Sequence, residues 1–222
     1  MKKSLVAAGA LALSFIFTQS DVNAIGEPIK KYVEKPVKST TLVVDPAASS
    51  LTWTAKKFGG GHNGTVNLSK GALTVDGNKL TGGSFEMDMT SIKDLDITKE
   101  DSNQKLTGHL KSEDFFSVEK YPKSTFVISK VTPLAKAKAG EPNYTVTGNL
   151  TIKGITNPVT FPATVKVNGA NAEAVAKIDI DRTKYDIKYR SGLLGTAADK
   201  IIDDIFTMDV KLVAGKTSTA KL

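Results

Sequence analysis

The sequence predicts an all-β domain: an antiparallel barrel or sandwich of about eight strands with one or two short helices. Three observations carry that expectation. Apolar and polar residues alternate with period two along most of residues 41–213, as strands with one dry and one wet face require. Turn residues interrupt the alternation at short intervals, which joins successive strands as antiparallel hairpins. No repeat with a period of 20–50 residues is visible, which excludes solenoids and propellers.

The strands follow in order. Leu51, Trp53 and Ala55 share one parity, then Val66 and Leu68, then Phe85, Met87 and Met89 opposite Glu86 and Asp88. A strand near Phe126 and Ile128 alternates less cleanly, because Val127 and Val131 fall on the other parity. Four longer runs are regular: Tyr144 to Ile152, Val159 to Val167, Ala172 to Ile180 and Phe206 to Leu212. The turn signals are Gly59-Gly60-Gly61, Asp76-Gly77-Asn78, Gly140-Glu141-Pro142-Asn143, Lys153-Gly154, Asn157-Pro158 and Asn168-Gly169. Thr98 to Phe116 and Arg190 to Lys200 break the alternation and are the places for short helices.

Around this domain the composition sets bounds. Residues 1–24 read as a secretory signal: Lys2 and Lys3, an apolar stretch from Leu5 to Phe17, and Val22-Asn23-Ala24 before the cut. Its apolar run of about 13 residues is short against the roughly 20 of a bilayer span. The mature protein is therefore expected to be periplasmic or secreted. Residues 25–40, with two prolines and no sustained period, read as a linker, and 214–222 as a tail. There is no cysteine, which excludes disulfides, a thiol nucleophile, Cys-ligated zinc, iron–sulfur clusters and an acylated anchor. The net charge of +7 is spread over single lysines, and only Arg182 and Arg190 are arginines, so no nucleic-acid partner is expected. A transient contact with an anionic membrane surface stays open.

Catalytic and metal motifs are thin. The two histidines, His62 and His109, make no His-Glu-x-x-His spacing, and no serine lies in Gly-x-Ser-x-Gly, so no catalytic residue, metal or cofactor is expected. Phe58 to Gly64 lacks the Gly-Lys-Ser/Thr ending of a phosphate loop and reads as a hairpin. Asp94, Asp96, Glu100 and Asp101 lack calcium-loop spacing and read as a solvated loop. His62 shares parity with Gly64, Val66 and Leu68, so it faces a polar head group or the rim. His109 is expected to bond a loop. Asp204, on the parity of Phe206 and Met208, is expected near one end of the lumen with Arg182 or a lysine as partner.

Two longer motifs carry a resemblance. His109-Leu110-Lys111-Ser112-Glu113-Asp114-Phe115-Phe116 with Glu119-Lys120-Tyr121-Pro122-Lys123-Ser124-Thr125-Phe126, and Gly148-Asn149-Leu150-Thr151-Ile152-Lys153-Gly154-Ile155-Thr156-Asn157-Pro158-Val159-Thr160-Phe161, are similar to the signature of the YceI-like family. Val44-Asp45-Pro46, Ser50-Leu51-Thr52-Trp53 and Ile180-Asp181-Arg182-Thr183 resemble it too. The resemblance covers roughly 41–213 and implies an exported, lipocalin-like barrel whose lumen binds polyisoprenoids or other long-chain lipids, with dimerisation implied by the resemblance alone. The sequence departs from the family at Lys57, where a histidine is usual, and at Leu106 and Thr107, where an Arg-Asp pair is usual.

A ligand in such a lumen, whether polyisoprenoid, quinone or fatty-acid-like, would meet Trp53, Phe85, Met87, Met89, Phe126 and Ile128 from the first strands. Tyr144, Leu150, Phe161, Ile178, Phe206 and Met208 complete the expected lining. Small inward residues, Gly148, Ala163, Ala172, Ala174 and Ala176, leave room beside the rings. Lys57, His62, Arg182 and Asp204 are the head-group candidates. Three functions remain: a lipid carrier or store, an adhesion protein with a filled core, and a hydrolase on the same barrel.

Overall fold

In the computed structural model, residues 39–215 are described. The expected signal segment, most of the linker and the tail from residue 216 lie outside them. Within them the strands are β1 (Ser39–Val44), β2 (Ser50–Lys57), β3 (Gly60–Asp76), β4 (Lys79–Asp94), β5 (Lys123–Pro133), β6 (Tyr144–Ile152), β7 (Ile155–Asn168), β8 (Asn171–Asp181) and β9 (Ile202–Gly215). A helix, α1 (Glu100–Lys111), lies between β4 and β5. Three 3-10 turns at Arg182–Tyr185, Gly192–Leu194 and Ala198–Lys200 lie between β8 and β9.

Every pairing is antiparallel, and the sheet closes: consecutive strands pair from β2 to β9, and β9 returns to β2. The ring has eight positions although nine strands build it. β1 pairs with residues 72–76 of β3 and with Ala214 and Gly215 of β9, beyond the reach of the shorter β2. β1 and β2 thus fill one position in succession. An eight-stranded ring is just wide enough for its interior to be filled by side chains or to hold one small ligand.

The irregular parities have a physical cause. The β5–β6 register shifts between Ile128 and Lys130. The extra residue turns Val131 to the inner face, where it packs against the core, while Val127 stays outside and exposed. A shift between Leu68 and Lys70 likewise moves β3 from buried Val66 and Leu68 to buried Leu73 and Val75.

One expected turn is not a turn. Asn157-Pro158 lies inside β7, opposite Leu150 and Asn149 of β6. The Ala163 carbonyl accepts from Asn143 N–H on the β6 side, so two-residue alternation aims the nitrogens of Pro158 and Pro162 the other way. On that side β8 pairs only from Ala163 onward, so neither proline removes a ladder bond.

The two ends of the barrel are closed differently. At the end holding the β3–β4 and β7–β8 hairpins, Leu42, Val44, Leu73, Val75 and Ala214 are buried to within 2% exposure and form one core with Leu80, Val146 and Val165. At the opposite end the β4–β5 and β8–β9 connections fold inward, and Phe115, Tyr185 and Ile187 join Leu150, Ile152 and Ile180 in a second core. Helix α1 itself buries no residue. It is tied down by Asn103, whose Nδ2 donates to the carbonyls of Asp94 and Ile97.

Candidate ligand-binding cavity

Between these two cores the barrel interior holds a partly open cavity of about 210 Å³. One water needs on the order of 10–15 Å³ by the same measure, so this is no packing defect. Its lining is apolar apart from Ser124, Arg182 and Asp203. Leu110, Phe115 and Phe116 from the α1 connection and Ile187 from the β8–β9 connection close it on one side.

Eleven of the twelve residues expected in the lumen line this cavity: Trp53, Phe85, Met87, Met89, Phe126, Ile128, Leu150, Phe161, Ile178, Phe206 and Met208. Tyr144 does not. It is buried in the packed end, where its hydroxyl accepts from Leu80 N–H at 3.4 Å. The small residues divide similarly. Ala163, Ala174 and Ala176 line the void, while Ala172 is buried away from it. Gly148 leaves no room, because Phe126 lies over it: a Cβ there would press on that ring and stand 2.7 Å from the Val127 carbonyl oxygen. Phe126 in turn packs against Phe161 at 5.5 Å and stacks with Phe85 at 6.4 Å.

The head-group candidates are not brought together. Arg182 lines the cavity, but its guanidinium is already engaged. Nε donates to the Asp203 carbonyl at 3.0 Å, Nη1 to Ile187 at 2.8 Å, and Nη2 to the Ile202 carbonyl and Asp204 Oδ1 at 2.9 and 3.2 Å. Burial lowers its pKa, and Asp204, Asp181 and Asp203 oppose that shift. Arg182 is thereby a knot binding the β8–β9 connection to the start of β9, with Asp204 as its partner outside the lining. Lys57 stands exposed at the end of β2, and His62 turns to Asp96, with Nδ1 3.0 Å from Oδ2. His109 bonds Asp114 at 2.9 Å and packs edge-on against Phe115 and Tyr189.

Three features escape a reading by parity. The indole Nε1 of Trp53 is buried without a hydrogen-bond partner, on a side chain that lines the void. The second corrects the solvated-loop reading of the acidic stretch. Asp94 is buried, its Oδ1 accepting from Ile97 N–H at 2.8 Å and from Asn103 Nδ2 at 3.2 Å. The Tyr185 hydroxyl is also buried and unpartnered, and desolvation with nearby Asp181 pushes its pKa up to about 12.

Comparison with known proteins bears on this architecture. The family model described as YceI-like domain matches residues 42–214. A UPF0312 protein of Staphylococcus aureus (strain USA300) is 36% identical over 166 residues, covering 69% of this chain and 86% of that protein. A UPF0312 protein of Pseudomonas putida (strain W619) is 44% identical over 61 residues, so the match spans 28% of this chain and 29% of the relative's length. The crystal structure of Burkholderia cenocepacia BcnA aligns with a TM-score of 0.57 at 28% identity, covering 77% of this chain and 99% of that one. A polyisoprenoid binding domain from Saccharophagus degradans, implicated in plant cell wall breakdown, aligns at 0.54 with 16% identity, covering 78% and 97%.

Proposed function

The chain belongs to the YceI-like family, and on that premise we propose that its barrel binds the apolar chain of one long-chain amphiphile, as an exported carrier or store and not as an enzyme. The observation that carries this reading is the apolar cavity of about 210 Å³ between two packed cores. A filled-core adhesion protein has no use for such a void, since natural cores close-pack. Burying ten ligand methylenes gains on the order of 8 kcal/mol at about 0.8 kcal/mol each. Association costs roughly 4–15 kcal/mol, so a long tail binds and a short one does not. The fold neighbour described as binding polyisoprenoid supports an isoprenoid or similar chain as ligand.

Within this reading Arg182 does not anchor the polar end of the ligand, because its donors are committed to three carbonyls and to Asp204. Phe58, Leu193 and Leu194 stand exposed at the connection end, which favours loading from a membrane surface there. Export through the segment ending at Ala24 belongs to the same proposal and sets Ile25 as the mature N-terminus.

The experiment is an organic extract of the protein purified from its native host, analysed by mass spectrometry. A near-stoichiometric long-chain amphiphile is expected. Protein that carries no apolar compound and takes up none from vesicles of native lipid would overturn the proposal.

A further inference from the structure

We propose that His62, Asp94 and Asp96 form a binding site for one divalent transition-metal ion at the connection end of the barrel. The site is independent of the lumen reading. His62 sits near the start of β3, Asp94 ends β4 opposite Gly64, and Asp96 follows in the loop toward α1. Strand pairing thus unites residues far apart in sequence. One ligand atom from each of the three lies within 4.8 Å of the other two.

The orientation of both carboxylates is what a cation site needs. In each, one oxygen is held by protein donors and the other is left to converge on the imidazole. Asp94 Oδ1 takes the Ile97 N–H and Asn103 Nδ2. Asp96 Oδ1 takes the Asn63 N–H at 2.8 Å. The remaining Oδ2 atoms stand 3.9 Å (Asp94) and 3.0 Å (Asp96) from His62 Nδ1. Such outer donors fix the rotamers of ligating carboxylates at metal centres.

A second observation points to a missing positive partner. Among the described residues Asp94 Oδ2 has no hydrogen-bond partner, and the Asp94 side chain has 0% exposure. A buried carboxylate oxygen without a donor is costly, and His62 Nδ1, at 3.9 Å, is too far to donate to it. One imidazole nitrogen with two carboxylate oxygens suits zinc, manganese or cobalt better than calcium, which prefers oxygen alone. His62 and Asp96 are partly exposed, at 23% and 31%, so water can complete the coordination sphere. In the bound state Nδ1 ligates through its lone pair and the neutral ring carries its proton on Nε2. The bound ion then clamps β3 to β4 and to the loop leading into α1, whose connection closes the cavity.

The test uses the untagged chain, stripped with chelator and titrated with Zn²⁺ and Co²⁺. The wild type takes up one equivalent, its Tm rises with metal concentration as mass action requires, and cobalt develops a visible absorption band. His62→Gln and Asp96→Asn, at partly exposed positions, weaken binding by at least about a hundredfold, beyond the 10–100-fold of a lost outer-shell partner. His109→Gln leaves binding unchanged. Undiminished uptake in His62→Gln overturns the proposal. So does a wild type indifferent to millimolar metal with Asp94→Asn at least as stable, which assigns the pair to a shared proton.

Discussion

The two ends of this barrel are written in the same alternating pattern and are closed by different means. At the packed end, buried Leu, Val and Ala side chains with Tyr144 form one core, and β1 completes the wall where β2 stops. At the connection end, the chain between strands folds inward and is held by polar bonds, Arg182 to three carbonyls and a carboxylate, Asn103 to two more carbonyls. Between them lie Phe and Met on some strands and Ala on others, and these do not fill the width. The difference teaches that alternation specifies a wall, while side-chain volume and the connections decide whether the wall encloses a core or a void.

The sharpest way to break this comparison is to remove the polar knot. Arg182→Ala strands the Asp204 carboxylate and three carbonyls at a site where Arg182 is 4% exposed. Asp204 is itself one-quarter exposed, so the loss comes mainly from the three unpaired carbonyls, at about 1–3 kcal/mol each. A denaturant midpoint almost equal to that of the wild type would show that the connections are a loose cover. Leu42→Ala probes the packed end. Leu42 has 0% exposure and lies off the cavity, so a loss of about 2–5 kcal/mol is expected, with bound lipid unchanged. Lipid lost in step with stability would mean that the two regions are not separable.

Much of this contrast was legible in the residues, and the rest was hidden for definite reasons. Period two located the strands and put eleven side chains on the cavity. Tyr144 shares the inward parity but sits one layer too near the packed end, and parity carries no depth along the barrel axis. Gly148 looked like space because a sequence does not show that Phe126 leans over it. Asn157-Pro158 looked like a turn because the rule against proline in a ladder depends on which edge is paired. The cluster of His62 with Asp94 and Asp96 comes from the β3–β4 register, and no contiguous spacing encodes it.

A gentler prediction sharpens the boundary between void and core. Met87 lines the cavity and is only half-buried among protein atoms. Met87→Phe therefore has room, and its Tm is expected to stay within a few degrees at about 2–4 °C per kcal/mol for a domain of this size. Co-purified lipid should fall in amount or length as the ring narrows the cavity. In a close-packed interior the same change costs about 1–3 kcal/mol and has no ligand phenotype. That pair of results would turn the void into ordinary core.

The smallest effect belongs to the outer wall and serves as the control for both ends. Glu86 lies on the face opposite Phe85 and Met87, between Lys123 at 3.0 Å and Lys70 at 3.2 Å, so it ties β5 and β3 to β4. The bond from Lys123, with those from Lys70 and Ser69, holds its carboxyl below the ordinary value of 4.5 against partial desolvation. A carboxylate whose pKa is lowered on folding stabilises above its unfolded value, and that contribution fades as pH falls through the folded one. Glu86→Gln is therefore expected to lower Tm slightly at pH 7, with the gap closing as the pH drops below 4.5. Added salt narrows the gap too, because the pairs are exposed on their lysine side. Bound lipid is unchanged throughout. A gap that persists at low pH would assign the effect to packing, and a change in lipid would mean that the outer wall is coupled to the cavity.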